Sequence, residues 1–202
     1  MQTLIDNARS FATHVAEHAD AFRAFESGQS PEVLFVTCSD SRVIPSLITG
    51  ARPGELFELR TAGNIVPEYH SGHPAGETAT IEYAVRVLGV RDIVVCGHSH
   101  CGAVSALVRG DDLSAAPAVR GWLDHAAPDP VRGAAPDAPA DLAGPVQQHA
   151  VAQLERLRAY PCVRERLGEG ALSLHAWYYE VHTGAVSAHR PGRGGRAPFG
   201  PL

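Results

Sequence analysis

Two short segments hold most of the side chains able to do chemistry. Cys38-Ser39-Asp40-Ser41-Arg42 brings a thiol, a carboxylate and a guanidinium within five residues, and Gly97-His98-Ser99-His100-Cys101-Gly102 sets a histidine and a cysteine three apart. Thiolate sulfur and imidazole nitrogen are the donors zinc takes, and a Cys₂His set leaves a fourth position for water or substrate. Taken singly, the signals are weak, since a cysteine after a buried strand is usually a core thiol. Gly97 and Gly102 imitate the start of a phosphate loop, but Ala103-Val104 stand where Lys-Ser/Thr would be required. No Cys-x-x-Cys supports a redox motif, and no Gly-x-Gly-x-x-Gly follows the first strand. The charged Asp40-x-Arg42 beside Cys38 raises the metal reading. Buried charges there are costly unless paired with each other or with a metal.

The elements that must position these groups follow from hydrophobic periodicity. Val33 to Val36 and Ile93 to Cys96 are apolar runs without alternation, as expected of parallel strands buried on both faces. Glu55 to Leu59 alternates, Glu77 to Leu88 reads as a helix, and Leu172 to Tyr179 is a late strand. Thr183-Gly184 signals a turn, after which Ala185 to His189 is expected to return as an antiparallel edge. The pattern predicts an α/β fold with a mostly parallel central sheet and flanking helices. Both chemical segments follow a strand, and ligand crevices form at the carboxyl ends of strands in such sheets. They should therefore meet.

Leu4, Ala8, Phe11, Val15, Ala19 and Phe22 keep a helical stripe, giving an N-terminal helical arm over 1–27. Between Ala126 and Pro145, Ala, Pro, Asp and Gly fill 17 of 20 positions, which predicts a loop before helical period resumes at Val146. Residues 191–202, rich in Gly, Pro and Arg, are expected to fray. The whole, 1–202, reads as a single domain. Trp177, Tyr178, Cys96 and Cys162 read as core, and Arg60 as an ion-pairing residue at a sheet edge or interface.

Composition narrows the function. The 202 residues are 45% hydrophobic and 19% charged, and 17 basic against 22 acidic side chains give a net charge of −5. No basic face invites nucleic acid, and no stretch approaches a membrane span. Asp6 and Arg9 interrupt what an export signal would keep apolar, so the expected compartment is the cytoplasm, where four cysteines stay reduced.

The two motifs together resemble the β-class carbonic anhydrases. The resemblance runs through Arg60-Thr61-Ala62-Gly63-Asn64-Ile65-Val66, Ile81-Glu82-Tyr83-Ala84-Val85 and Leu174-His175-Ala176-Trp177, covering about residues 25–110 well and 146–188 more loosely. It implies one Zn²⁺ per chain on Cys38, His98 and Cys101, with Asp40 and Arg42 as a catalytic dyad. It implies reversible hydration of CO₂ to bicarbonate and a proton through zinc-hydroxide, oriented by that dyad. Should the dyad break, Asp40 becomes zinc's fourth ligand in a closed state. The plant-type branch is the nearer one: its substrate-contacting Gln matches Gln29 and its pocket aromatics match Phe57 and Tyr83, which in the family line the cleft across a dimer interface. Phe35 stands where the other branch has a Trp, so its inhibitory bicarbonate site is not expected. A homodimer or higher homo-oligomer follows from the resemblance. The Gly102 N–H is expected to help hold substrate, and His70, His73 and His100 are candidate proton shuttles. A catalytically silent zinc protein, or a hydrolase of another linear molecule such as carbon disulfide, are the competing readings.

Overall fold

The computed structural model describes residues 1–70, 72, 75–126, 142–190 and 199–202, and the chain falls into two compact units, Met1–Ser30 and Pro31–Leu202. The first unit holds helix α1 (Gln2–Glu17), a short α2 (Ala19–Arg23) and a 3₁₀ turn (Ala24–Ser27). Phe22 packs edge-on against Phe11, so the apolar stripe folds back on itself at the break after Glu17. Leu4, Ile5 and Phe11 of α1 remain exposed.

The second unit is built on a six-stranded sheet. Its strands are β1 (Val33–Cys38), β2 (Leu56–Thr61), β3 (Asp92–His98), β4 (Ser173–Tyr179), β5 (Val186–His189) and β6 (Phe199–Pro201). Their order is β2-β1-β3-β4-β5-β6; the first four are parallel and β5 and β6 antiparallel. From β1 the chain moves outward to β2, and from β3 it moves the other way to β4. The seam between β1 and β3 is thus where the strand order reverses. As the unbroken apolar runs predict, both seam strands are buried almost throughout.

Among the described residues, six helices accompany the sheet: α3 (Pro45–Thr49), α4 (Gly76–Glu82), α5 (Gly102–Arg109), α6 (Pro117–Asp124), α7 (Ala143–Ala159) and α8 (Pro161–Gly168). One sheet face presents Leu34, Val36, Ile93, Val95 and Ala176 to Ile81 and Val85, to Leu154 and Leu157 of α7, and to Val163 of α8. The other carries Phe35, Val94 and Cys96 with half-buried Leu56, Trp177 and Tyr179.

Three expectations change in detail. The helix over 77–88 begins as α4 but widens into a π-helical segment, Tyr83–Leu88, closed by Gly89 in the left-handed region. Helix α7 starts at Ala143 rather than Val146, because Pro145 falls in the first turn, where its missing N–H leaves no bond unmade. Most of the 126–145 loop, 127–141, lies outside the described residues, while Ala126 and Leu142 at its ends are buried. The tail does not fray throughout: Phe199–Pro201 pairs with β5, Phe199 lies against the His189 ring, and Arg190 donates to the Pro201 carbonyl at 2.7 Å. Pro201 is tolerated on an edge strand, where no neighbour needs its donor.

One close approach matters for the site. Gly97 lets α7 lie against the end of β3: a Cβ there would sit 2.7 Å from Val146 Cγ1 and 3.4 Å from the Val146 carbonyl. Gly97→Ala is expected to destabilise the fold by about 1–3 kcal/mol through overpacking. A lowered denaturation midpoint at unchanged m-value would show it, and an unchanged midpoint would deny the contact its role.

Candidate metal centre

Cys38 is the last residue of β1 and His98 the last of β3, so the reversal of strand order puts the two side by side. Crevices for ligands open at such switch points. Beyond His98 the chain turns sharply through Ser99 and His100, the latter at φ 57°, and re-enters a helix at Gly102 with Cys101 as its N-cap. The Ser99 N–H donates to the Tyr179 carbonyl at 2.9 Å, and the Ser99 hydroxyl accepts the Val181 N–H at 2.9 Å. Those bonds hold the turn against the end of β4 and return Cys101 toward Cys38.

The donor atoms of Cys38, His98 and Cys101 all lie within 4.8 Å of one another, and all three residues are buried. The two Sγ atoms are 4.0 Å apart. His98 Nδ1–H donates to the Ser99 carbonyl at 2.9 Å, which makes Nε2 the lone-pair nitrogen, and that nitrogen is buried without a hydrogen-bond partner. A buried acceptor left unmet is costly. An ion between imidazole and thiols removes the cost, and a second nitrogen bonded to a carbonyl is how metal-bound histidines are usually oriented. The surroundings are apolar, with Val104, Val108, Val146 and Tyr178 packed around the cysteines.

The thiols are unequal. The Cys101 thiol donates toward Cys38, and with His98 and the Gly63 and Asp40 N–H groups it draws Cys38 far below the ordinary thiol range, against the opposing effect of burial. Cys101 is correspondingly pushed up by its bond to Cys38 and by burial. The pair thus holds one proton that a dication can displace. Cys96 differs, since burial raises its thiol to about 12 and leaves it inert core. Two thiols and one imidazole fit Zn²⁺ with its fourth position open.

Beside this set stands a tightly made ion pair. Arg42 Nε donates to Asp40 Oδ1 at 2.9 Å and Nη2 to Oδ2 at 2.7 Å, while the Arg42 main-chain N–H also donates to Oδ1 at 2.9 Å. Nη2 further reaches the His100 carbonyl at 3.2 Å, tying the two chemical segments together. Arg42, through its side-chain and main-chain hydrogen bonds, therefore holds the Asp40 carboxyl well below the usual range. Asp40 Oδ2 lies 3.9 Å from His98 Nε2, so the carboxylate borders the space the three donors enclose.

Arg60 takes a different part from the ion pairing expected of it. From the end of β2 its Nη2 donates to the carbonyls of Asp40 at 2.8 Å, Val43 at 2.7 Å and Cys38 at 3.2 Å. It fixes the main chain that presents Cys38 and Asp40. A second support lies in α7. His149 Nε2–H donates to the Gly63 carbonyl at 2.8 Å, and the Gly63 N–H points at Cys38 Sγ at 3.4 Å. Gly63 has φ 73° and a would-be Cβ 3.0 Å from Ala103 Cβ, so glycine is required there. One helical turn from His149, Gln153 Oε1 accepts the Val66 N–H at 2.9 Å. The signal for both was a His and a Gln four apart in the otherwise apolar stripe of α7.

The remaining candidates lie elsewhere. Phe57 on β2 and Tyr83, where α4 widens, pair with ring centroids 5.9 Å apart, and Tyr83 is exposed. Gly102 opens α5 with free space at its Cα. Gln29 is exposed and belongs to the N-terminal unit. His70 is exposed near Glu68, and His100 faces the His182 ring at 6.2 Å. His73 lies outside the described residues. Tyr178 and Cys162 are buried and Trp177, half-buried, packs on Phe35.

Comparison with known proteins gives one consistent result. The carbonic anhydrase family profile matches residues 33–186. A carbonic anhydrase of Pseudomonas aeruginosa is 43% identical over 192 residues, 93% of this chain and 87% of that protein. One from Synechococcus elongatus is 42% identical over 194 residues, 92% of this chain and 70% of the relative. Among solved structures, the β-carbonic anhydrase CcaA superposes with a TM-score of 0.87 at 38% identity, covering 100% of this chain and 92% of its own. A tetrameric β-carbonic anhydrase of Sordaria macrospora gives 0.77 at 29% identity, covering 98% and 97%. Among the described residues no helix is long and apolar enough to cross a membrane.

The α7 support yields a test of the centre. His149→Leu leaves the Gly63 carbonyl without its donor and is expected to weaken zinc affinity by about tenfold or more. Competition against a chromophoric chelator measures it. Affinity equal to that of the unaltered chain would show that α7 does not tune Cys38.

Proposed function

The chain belongs to the β-carbonic anhydrases, and from that premise we propose how its own residues carry out the family's reversible conversion of CO₂ and water to bicarbonate and a proton. Cys38, His98 and Cys101 would hold the zinc ion. Zinc, when bound, supplies the Lewis acidity that turns water into a nucleophile near neutral pH. What carries this reading is one juxtaposition: three buried soft donors bordered by a carboxylate that a bidentate guanidinium holds in place.

Asp40 is the orienting group. Arg42 keeps it ionised throughout the working range, so it can only accept hydrogen bonds. Accepting a hydrogen bond from the nucleophile leaves that nucleophile's remaining oxygen lone pair aimed at the carbon of CO₂. Arg42 also restrains the carboxylate from turning into the donor set, which would close the site with Asp40 as a fourth ligand. Gly102, the first residue of α5, has a main-chain N–H with no partner within the helix, suited to a developing bicarbonate oxygen. The proton leaves after hydration, and His100, exposed on the turn that precedes Cys101, is the shuttle candidate of this reading, ahead of His70.

Gln29, Phe57 and Tyr83 complete the pocket in this reading, contributed across an interface between two copies. The exposed Tyr83 ring and the exposed apolar residues of α1 support a homodimer or a larger homo-oligomer, as does the tetrameric Sordaria relative. All four cysteines are free, which suits a reducing cytoplasm.

Stopped-flow CO₂ hydration on protein of known zinc content tests the proposal. Asp40→Asn should retain its zinc and lose about 10²-fold or more in kcat/KM. Full activity in that variant would remove Asp40 from the mechanism. Two thiolates cancel the dication's charge where three imidazoles would not, so kcat/KM is expected to rise from neutral into mildly alkaline pH. Asp40 ionises far below this window and does not produce the rise, so Asp40→Asn should keep the same profile shape at lower amplitude. A profile flat from pH 6 to 9 would contradict it.

A further inference from the structure

A second group of metal-capable side chains stands in the N-terminal unit, where the hydration chemistry makes no use of it. His14, Glu17 and His18 of α1 and its C-terminal boundary are exposed, and their donor atoms lie within 4.8 Å of one another. We propose that these three residues form a surface site for a borderline first-row transition-metal dication of the Zn²⁺ or Ni²⁺ class, separate from the Cys38 centre.

Helical spacing makes the pairing. Residues four apart share a face, and two histidines so placed are the arrangement by which helices hold a dication. Here the rings are already together, with centroids 4.4 Å apart. Neither ring is loose. His14 stacks on Phe11 at 5.9 Å and meets the edge of Phe22 at 6.2 Å, so the fold of α1 onto α2 sets its orientation. The His18 Nδ1–H donates to the His14 carbonyl at 2.9 Å, which leaves Nε2 as its lone pair. This is the same carbonyl-fixed tautomer seen at His98, and it supports metal binding for the same reason. Glu17 adds an anionic oxygen.

The location favours a cation. Helix α1 ends here, and the last carbonyls of a helix carry its partial negative charge. The donor set chooses among cations: two imidazoles suit Zn²⁺, Cu²⁺ and Ni²⁺, whereas Mg²⁺ and Ca²⁺ require mainly oxygen. No thiol is present, so water completes the coordination and exchange with solvent should be fast, unlike at the buried centre.

The test uses the full chain with zinc already in place, titrated calorimetrically with Ni²⁺ at about pH 7.5, where imidazole is mostly neutral. One saturable equivalent of Ni²⁺ per chain is expected, and the double variant His14→Gln/His18→Gln should lose it while retaining its zinc and its CO₂ hydration rate. Hydrogen exchange gives an independent readout: Ni²⁺ should slow the amides of the last turns of α1 in the unaltered chain and not in the double variant. Absence of a saturable equivalent would overturn the proposal. So would an equivalent that persists undiminished in the double variant.

Discussion

Everything at the centre depends on two parallel strands that pair along their length and then send the chain apart. Thr37 faces Cys96 across the β1–β3 ladder, so Cys38, the next residue, and His98, two beyond Cys96, emerge together at the carboxyl edge. No helix has to deliver them. The third donor needs only the tight turn at His100, whose positive φ returns Cys101 to the same edge. Three candidate ligands separated by up to 63 residues in sequence thereby become neighbours through strand pairing and a turn held by main-chain and side-chain hydrogen bonds. The sheet that makes them adjacent also buries them, which strengthens electrostatic interactions there.

Support for the centre is divided among two arginines and a histidine, each with a separate task. Arg42 fixes a carboxylate by two parallel hydrogen bonds, the geometry in which a guanidinium is strongest. Arg60 holds the main chain beneath that carboxylate through carbonyls, and so leaves Asp40's side chain to Arg42. His149 acts from the far side, through Gly63, on the sulfur of Cys38. A lysine in place of either arginine would keep the charge but not the planar array of donors.

Much of this was legible in the sequence because it is local. The apolar runs before Cys38 and before His98 announce buried parallel strands, and motifs that end such strands must face the same crevice. The parts that were not legible depend on tertiary contact. Nothing in the spacing of Arg60 tells whether it meets carboxylates or carbonyls; the loop after β1 decides that. His149 and Gln153 look like polar intrusions in an apolar stripe until Gly63 and Val66 are placed opposite them. Phe199–Pro201 reads as tail, because its pairing with β5 depends on tertiary contacts: the His189 ring, the core against which Phe199 packs, and Arg190 just past β5. Gln29, Phe57 and Tyr83 entered through family resemblance and not through periodicity. Phe57 and Tyr83 meet at the β2 edge, and Gln29 lies in the other unit.

The central claim is that Cys38, His98 and Cys101 together bind one zinc ion and leave a position open. X-ray absorption at the zinc edge on protein containing one zinc per chain tests it most directly. Two sulfur neighbours at about 2.3 Å, one imidazole nitrogen at about 2.0–2.1 Å and one further light oxygen or nitrogen atom are expected. A shell with four sulfurs, or with fewer than two, would contradict it.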